Sequence, residues 1–237
     1  MPKYAKPKSK EAAKKRSMTP WIIGAGVFFV LLIVLIVIVN NRSSRIEPIA
    51  LPDMPADWIN RNVMGNPDAA VTVQTWEDFM CPACQQWGPR VREQLINDYI
   101  KTGKVRMEFH HFPLPIHAPG SEMGAMAAEC AADQNAFWPY HDRLFQEAER
   151  GGQPALQLEK LVSYAKDMGL DDKEFLQCMT SQKYRDKITA SVTEATSLGL
   201  NSTPTVRVNG QVMENPFDYN ALKAEIDRLL AAAENGN

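Results

Sequence analysis

Two cysteines give the chain its strongest chemical signal, in the segment Cys81-Pro82-Ala83-Cys84. Residues 69–76 before it have the β-branched and aromatic composition of a strand, and residues 81–101 have the apolar spacing of a helix. Cysteines three residues apart in a first helical turn hold their β-carbons close, so a disulfide can close with little movement. The spacing predicts reversible thiol–disulfide chemistry; the alternatives are a static structural disulfide and a zinc site.

The start of the predicted helix gives the two thiols different properties. Cys81 lies where unpaired backbone N–H groups and the positive end of the helix dipole stabilise a thiolate. Cys84 lies one turn further, on the apolar face, where it is shielded and suited to attack a mixed disulfide from within. A second Cys-x-x-Cys is absent from the sequence, so we expect no metal and no cofactor.

Other polar residues near the motif have weaker signals. Glu77 and Asp78 precede the cysteines, and an acidic group there could relay a proton to Cys84; the alternative is a pair of solvated charges. Three histidines are expected to be surface or packing residues rather than ligands: His110, His111 and His141.

Strand-like and helical patterns alternate in the segments that must position the thiols. Apolar and polar side chains alternate over residues 104–110, which predicts a second strand. A helical stretch with four or five helices is predicted to follow over about residues 120–198. A short strand at 204–208 turns at Asn209-Gly210, which is a strong hairpin signal. The order β-α-β, helical block, β-β predicts an α/β domain with an inserted helical subdomain.

The last element is a predicted helix in which the apolar residues fall on one face. Asn215 is expected as its N-cap and Pro216 in its first turn. This helix completes the second half of the α/β domain.

The amino-terminal residues differ sharply from the rest of the chain. Residues 1–20 carry seven basic side chains and one acidic side chain, although the whole chain has a net charge of −2. A basic tail can indicate a nucleic-acid partner, but residues 21–39 are a continuous apolar run. A helix of that length measures roughly 28 Å, close to the ~30 Å core of a bilayer. We therefore expect a transmembrane helix and no nucleic acid; a cleaved signal peptide and a buried soluble helix are the alternatives.

The charge pattern predicts the orientation of this span. Positive residues stay in the cytoplasm, so residues 1–20 are a basic cytoplasmic tail and the remainder lies outside the cell membrane as a single-pass protein. Residues 40–54 contain two prolines and no regular period, and they read as an extracytoplasmic linker to a domain at 55–237. All four cysteines are then in an oxidising compartment, where three pairings are open to them.

Three segments resemble the DsbA-like thiol:disulfide oxidoreductases. They are WEDFMCPAC at 76–84, AAECAADQNAFWPYHDRLF at 127–145 and LGLNSTPTVRVNG at 198–210. The resemblance covers roughly residues 56–233 and implies a thioredoxin-like fold with a helical insertion at about 116–198.

The resemblance also implies roles for particular residues. Cys81 maps to the nucleophile and Cys84 to the resolving cysteine. Thr203-Pro204 maps to a cis-proline loop that lies against the active-site disulfide and offers backbone groups to an extended substrate. Some members carry a second, non-catalytic disulfide, which implies that two further cysteines pair here; two unpaired buried thiols are the alternative. These cysteines are Cys130 and Cys178.

The expected function is donation of the Cys81–Cys84 disulfide to folding secreted or membrane proteins. A membrane quinone-linked reoxidase of the DsbB or vitamin-K-epoxide-reductase type is implied as the partner that restores the disulfide, since the span at 21–39 contains no cysteine. Two alternatives remain open: a reductase or isomerase of the same fold, and a redox-inert chaperone tethered to the bilayer.

Ala83 leads to a prediction about the reduction potential. Strongly oxidising members often have histidine here, which helps to stabilise the thiolate of the first cysteine, and alanine donates no side-chain hydrogen bond. We expect a milder oxidant, with a potential between about −270 and −120 mV in a glutathione titration. A value at or below the thioredoxin end of that range would indicate a reductase instead.

Overall fold

A six-stranded sheet lies at the centre of the domain in the computed structural model, which describes residues 28, 31–33 and 53–235. Its strands are β1 (Ile59–Asn60), β2 (Val63–Met64), β3 (Val71–Glu77), β4 (Val105–His111), β5 (Thr205–Val208) and β6 (Gln211–Val212). Within 53–235 their order in the sheet is β1-β2-β4-β3-β5-β6. β3 and β4 are parallel, and every other neighbouring pair is antiparallel.

Helix α1 connects β3 to β4 and changes its hydrogen-bond pattern along its length. It comprises α-helical and π-helical parts: Pro82–Trp87 (α), Gly88–Arg92 (π), Glu93–Leu95 (α) and Ile96–Ile100 (π). Pro89, which has no N–H to donate, lies in the first π-helical part, where a wider turn absorbs the missing bond.

Five α-helices form the insertion between β4 and β5, within the part of the chain that the structure describes. They are α2 (Gly120–Ala132), α3 (Phe137–Gly151), α4 (Leu158–Asp167), α5 (Asp172–Thr180) and α6 (Arg185–Ser197), and the last helix, α7 (Tyr219–Asn235), follows β6. Short 3₁₀ turns occur at Ala56–Trp58, Pro115–His117 and Gln153–Leu156.

The predicted order of elements is confirmed, and the differences are local. The β1–β2 hairpin was not predicted because its two-residue strands are too short for an alternating pattern. The predicted start of the last helix at Asn215 and Pro216 is wrong. Asp218 accepts a hydrogen bond from the Ala221 N–H as a cap does, whereas Asn215 accepts one from the Phe217 N–H in a separate turn.

Alternating side chains of the central strands build the core. Val73, Met107 and Phe109 are fully buried, and Trp87 and Val91 of α1 belong to the same cluster. The same cluster continues into the insertion, where three aromatic residues are also buried: Phe137, Trp138 and Tyr140. One continuous core therefore joins the sheet to the inserted helices, so the insertion can position residues of the sheet edge.

A disulfide joins Cys130 of α2 to Cys178 of α5, with a Cα–Cα distance of 5.9 Å. Both half-cystines are buried among the inserted helices. The pair matches the second disulfide that the family resemblance implies. It closes a long loop inside the insertion and is separate in sequence from the Cys81–Cys84 motif.

The amino-terminal unit, Met1–Glu47, is distinct from the unit Pro48–Asn237. Its described residues, Phe28 and 31–33, are helical. Most of the predicted span at 21–39, all of the tail at 1–20 and nearly all of the linker at 40–54 lie outside the described residues. Among the residues that are described, no helix combines the length and the apolar character needed to cross a bilayer.

The Cys130–Cys178 disulfide yields a stability prediction. In the chain-entropy model, a cross-link across 48 residues stabilises the folded state by up to about 4 kcal/mol. The double variant Cys130→Ala/Cys178→Ala should therefore unfold at a lower urea concentration. The matched control is Cys81→Ala/Cys84→Ala, because those thiols are free in the structure and a disulfide between them would close only the short Cys-x-x-Cys loop, which constrains the unfolded chain much less. Equal free energies of unfolding for wild type and the first variant would contradict this role.

Candidate active site

The turn between β3 and α1 fixes the position of Cys81. Proline restricts the residue before it to extended backbone and is itself well suited to a first helical position. Cys81 accordingly has φ −76° and ψ 120° and is the N-cap of the helix that begins at Pro82. Cys84 follows one turn later and lies inside the core.

The Cys81 thiol is the more accessible and the more acidic of the two. Its residue is 7% exposed, against 1% for Cys84. A hydrogen bond from the Cys84 thiol is the largest influence and lowers the pKa of Cys81; burial opposes it. Hydrogen bonds from the side chain of Thr203 and from the backbone of Cys84 and Ala83 lower this pKa further, to about 5. Cys81 is therefore largely a thiolate at neutral pH when the pair is reduced.

Cys84 has the opposite ionisation. Burial raises its pKa far above the usual range for a thiol, and the hydrogen bond to Cys81 and the charges of Glu77 and Cys81 raise it further. The hydrogen bond between the two sulfurs thus favours the anion on Cys81 and the proton on Cys84. A nucleophile and a protonated partner result from one contact.

The loop before β5 lies against Cys81. The Cys81 Sγ is 3.4 Å from the carbonyl oxygen of Thr203, to which the neutral thiol donates. Thr203–Pro204 is a cis peptide bond. The antiparallel pairing of β5 with β3 places Thr205 opposite Trp76, so the loop before Thr205 lies beside the motif that follows Trp76.

The two acidic residues that precede the motif, Glu77 and Asp78, lie in different surroundings in the structure. Glu77 is 2% exposed and lines a cleft together with Cys84. Burial raises the pKa of Glu77 to about 7, against the opposing charge of Arg92. A carboxyl group with this pKa beside a buried thiol can accept or donate a proton near neutral pH.

Asp78 instead organises the loop that follows β4. Its carboxylate accepts hydrogen bonds from the Met80 N–H at 2.7 Å, the Leu114 N–H at 2.8 Å and the His117 ring nitrogen Nδ1 at 2.7 Å. Because Asp78 and Glu77 are both buried, their interpretation as solvated charges is wrong.

Several charged residues near the thiols were missed by sequence analysis. Arg92 of α1 forms an ion pair with Asp142 of α3, with Nη2 and Oδ1 2.5 Å apart. Fifty residues separate them in the chain. His141 is buried beside this pair rather than on the surface. No sequence pattern marks these contacts, because they depend on how the insertion packs on α1.

The other two histidines have packing roles in the structure. His111 is buried and its Nε2 lies 3.1 Å from the Glu129 carboxylate. His110 stacks on Trp76 with ring centroids 4.4 Å apart. In residues 53–235, no group of three or more metal-ligating side chains comes together.

Comparison with protein families shows what this arrangement is similar to. Residues 59–228 match the family model Thioredoxin_4, described as thioredoxin. A probable disulfide bond formation protein D of Bacillus anthracis is 32% identical over 171 residues, which are 70% of this chain and 77% of that protein.

Two further similarities extend the comparison. The Na⁺/H⁺ antiporter NhaA 3 of Salinispora tropica is 36% identical over 180 residues, which are 76% of this chain but only 26% of that relative's length. The crystal structure of oxidised BdbD from Bacillus subtilis aligns with a TM-score of 0.67 at 24% identity, covering 73% of this chain and 94% of BdbD. At 24% identity, the similarity to BdbD establishes the thioredoxin-like fold and nothing further.

The ionisation of Cys81 can be tested by alkylation of the reduced protein. The rate of reaction with iodoacetamide should rise with pH through a midpoint near 5, because only the thiolate reacts. In Cys84→Ala the midpoint should move up by about one pH unit or more, because the strongest hydrogen bond to the thiolate is lost. Urea-unfolded protein, with an ordinary midpoint near ~8.5, serves as the control. A wild-type midpoint equal to that control would contradict the site geometry.

The same shift predicts how stability depends on pH. The pKa of Cys81 is lower in the folded protein than in the unfolded chain. The Cys81 thiolate therefore contributes its full extra stability to the reduced form at about pH 8.5, and this contribution is lost as the pH falls towards 5. The oxidised form has no ionisable thiol at Cys81. As the pH is lowered through this range, the urea midpoint of the reduced form should fall relative to the urea midpoint of the oxidised form.

Proposed function

The chain belongs to the thioredoxin family and is a thiol:disulfide oxidoreductase, and we propose that it donates the Cys81–Cys84 disulfide to folding secreted or membrane proteins outside the cytoplasm. The observation that carries this proposal is the opposite ionisation of the two thiols. A stabilised Cys81 thiolate favours the reduced pair, which makes the disulfide the stronger oxidant. The donor direction follows from this preference.

The transfer proceeds in two exchanges. A client thiolate attacks the Sγ of Cys81, the Cys81–Cys84 bond breaks, and Cys84 leaves as a thiolate that takes up a proton. A second client thiolate then attacks the client sulfur of the mixed disulfide and releases Cys81 as a thiolate. The client gains one disulfide and loses two electrons, and the enzyme pair gains both.

Cys81 is suited to be the sulfur that is attacked and later released. It is more exposed than Cys84, so a client can reach it. Its low pKa makes it a good leaving group in the second exchange. Cys84 needs a proton as soon as it is released, because its own pKa is far above neutral. Glu77 is the acid that supplies it, since it lines the same cleft and titrates near pH 7.

The Thr203–Pro204 loop is the proposed binding site for the client backbone. It lies 3.4 Å from the Cys81 sulfur, so a segment that binds there brings its own cysteine to the disulfide. An extended peptide can pair with such a loop as an added strand, which accepts clients of many sequences. This binding mode suits an enzyme that acts on unfolded proteins.

A membrane anchor at residues 21–39 is part of the proposal. Its support is the uninterrupted apolar run and the basic residues that precede it. The described residues of this run are helical and have exposed apolar side chains, for example Phe28 and Leu31 at 64% and 62% exposure. The tail at 1–20 is then cytoplasmic, and residues 40–54 link the anchor to the catalytic domain.

A membrane reoxidase is the proposed partner that completes the cycle. Each turnover leaves the Cys81–Cys84 pair reduced, so two electrons must leave it before the next client binds. The family resemblance points to a quinone-linked enzyme of the DsbB or vitamin-K-epoxide-reductase type. An anchored donor would meet such a partner by diffusion within one membrane.

Redox state and location can be tested together in intact cells. Cells that express the full chain are treated with a membrane-impermeant maleimide–polyethylene glycol, with or without prior exposure to an impermeant phosphine reductant. We expect a gel shift only after the reductant, because the resting pair is a disulfide on the outer side. The matched control is Cys81→Ala/Cys84→Ala, which should give no shift in either case.

Each other outcome has a definite meaning. A shift without reductant would mean a resting dithiol and would overturn the donor direction in favour of a reductase or isomerase. The absence of any shift in wild type would overturn the extracytoplasmic location. Purified oxidised protein that binds a reduced client but leaves its thiols unchanged would overturn disulfide donation and indicate a chaperone.

A further inference from the structure

The loop between β4 and α2, residues 112–119, carries an unusually exposed apolar side chain. Ile116 is 85% exposed, which is the largest value among the large apolar residues of 53–235. It lies in the short 3₁₀ turn Pro115–His117. A single exposed apolar residue is common on a protein surface and by itself indicates no function. This loop differs from an ordinary surface loop because buried contacts fix it at several points.

Asp78 fixes the middle of the loop. Its side chain is completely buried, and its Oδ2 accepts hydrogen bonds from the Leu114 N–H at 2.8 Å and from His117 Nδ1 at 2.7 Å. Its Oδ1 accepts from the Met80 N–H at 2.7 Å, and its carbonyl oxygen accepts from the Cys81 N–H at 3.0 Å. Hydrogen bonds to a carboxylate are among the stronger ones in proteins. One residue therefore holds both the turn before Cys81 and the loop at 112–119.

The start and the end of the loop are also fixed. The Phe112 N–H donates to the Glu77 carbonyl oxygen at 2.8 Å, which continues the pairing of β4 with β3. At the other end, Gln153 Nε2 donates to the Ala118 carbonyl oxygen at 3.0 Å. A side chain on a preorganised loop loses less conformational freedom on binding than one on a mobile loop. Ile116 can therefore contribute apolar surface to a complex at a low entropic cost.

A second apolar cluster joins this loop to the segment before Thr203–Pro204. Leu114 of the loop packs in it with Leu200, which comes three residues before Thr203. The cluster is separate from the main core and consists of Trp76, Phe112, Leu114, Val192, Ala195 and Leu200. Cys81 bonds to both sides, through its N–H to Asp78 and through its Sγ to Thr203. The reactive sulfur therefore lies between the loop at 112–119 and the loop proposed to bind the client backbone.

We propose that Ile116 is a specificity-determining residue for clients, and that Asp78 and His117 are the residues that position it. This inference rests on the proposed function. The client is a reduced, unfolded protein with an apolar residue beside its cysteine, a common arrangement because cysteine is itself among the most buried residue types. The client backbone pairs with Thr203–Pro204, its cysteine reaches Cys81, and the neighbouring apolar side chain packs on Ile116. Asp78 and His117 act only by holding Ile116 in place.

The experiment compares two reduced peptides as substrates of the purified, oxidised full chain. Each peptide has two cysteines, and the first cysteine is flanked by leucine in one peptide and by glycine in the other. Acid quenching and thiol alkylation give the rate constant for reduction of the Cys81–Cys84 disulfide by each peptide. Each value is divided by the rate constant of the same peptide with oxidised glutathione, which removes differences in thiol reactivity. The leucine-to-glycine ratio should be about five in wild type, as expected for partial burial of one large apolar side chain.

Substitution of Ile116 should abolish this preference. In Ile116→Ser the ratio should fall to about one, because the apolar contact is lost while the glycine peptide reacts as before. The matched control is Leu176→Ser, which removes a 41% exposed apolar residue of α5 and should keep the wild-type ratio. A role in folding alone would slow both peptides equally and leave the ratio unchanged.

Three variants of His117 test the positioning contact. In His117→Asn the amide nitrogen is bonded to Cγ, as Nδ1 is, so it can donate to Asp78 and should preserve the ratio. In His117→Gln the nitrogen is one bond further away, and His117→Ala has no donor, so the ratio should fall to about one in both. The double variant Ile116→Ser/His117→Ala should have the same ratio as either single variant, because both changes remove one contact.

The outcomes distinguish this inference from the function on which it rests. A preference for leucine that persists in Ile116→Ser would overturn the role of Ile116. Equal ratios for His117→Asn and His117→Gln would overturn positioning through Asp78. Wild-type protein that oxidises both peptides with a ratio near one would overturn this inference alone and assign the exposed side chain to another partner, such as the reoxidase. Wild-type protein that oxidises neither peptide would instead overturn the proposed function.

Discussion

The hydrogen bond between the two thiols at the start of α1 is the interaction on which the rest of the site depends. It lowers the pKa of Cys81 and raises that of Cys84, so one contact produces an anion at the accessible sulfur and a proton at the buried one. The contact exists because Pro82 begins the helix directly after Cys81 and places Cys84 one turn inside it. A helix that began elsewhere would separate the sulfurs or bury both.

The sheet brings the remaining parts of the site to this helix start. β3 and β4 are parallel and end at the same edge, where the loop after β4 binds back to Asp78 through Leu114 and His117. β5 is antiparallel to β3, so the loop that precedes it reaches the same edge from the opposite direction. Three segments distant in sequence therefore meet around the start of α1, one of them bound to Asp78 and another to Cys81.

The inserted helices pack as part of the same domain as the sheet. Their aromatic residues belong to the same core as the sheet, so α3 is rigidly placed against α1. Asp142 on that helix pairs with Arg92, and both residues line the same cleft as the buried Glu77 and Cys84.

The local features of this chain could be predicted from the amino-acid sequence alone. The Cys-x-x-Cys spacing, the strand before it and the proline at the helix start are decided within a few residues, and so are the Asn209-Gly210 turn and the apolar run at 21–39. The family resemblance allowed two further features to be predicted, the Thr203–Pro204 loop and the second disulfide. Such features depend on backbone preference and periodicity, which act over one or two turns of chain.

The charges that surround the thiols could not be predicted in this way, because they depend on how distant segments pack. Glu77 and Asp78 are adjacent in sequence and both acidic, yet one lines the cleft of Cys84 and the other binds a loop. The pairing of Arg92 with Asp142 joins positions fifty residues apart. Such contacts depend on how elements pack, and pKa values depend on the burial that results. No pattern within a single segment carries that information.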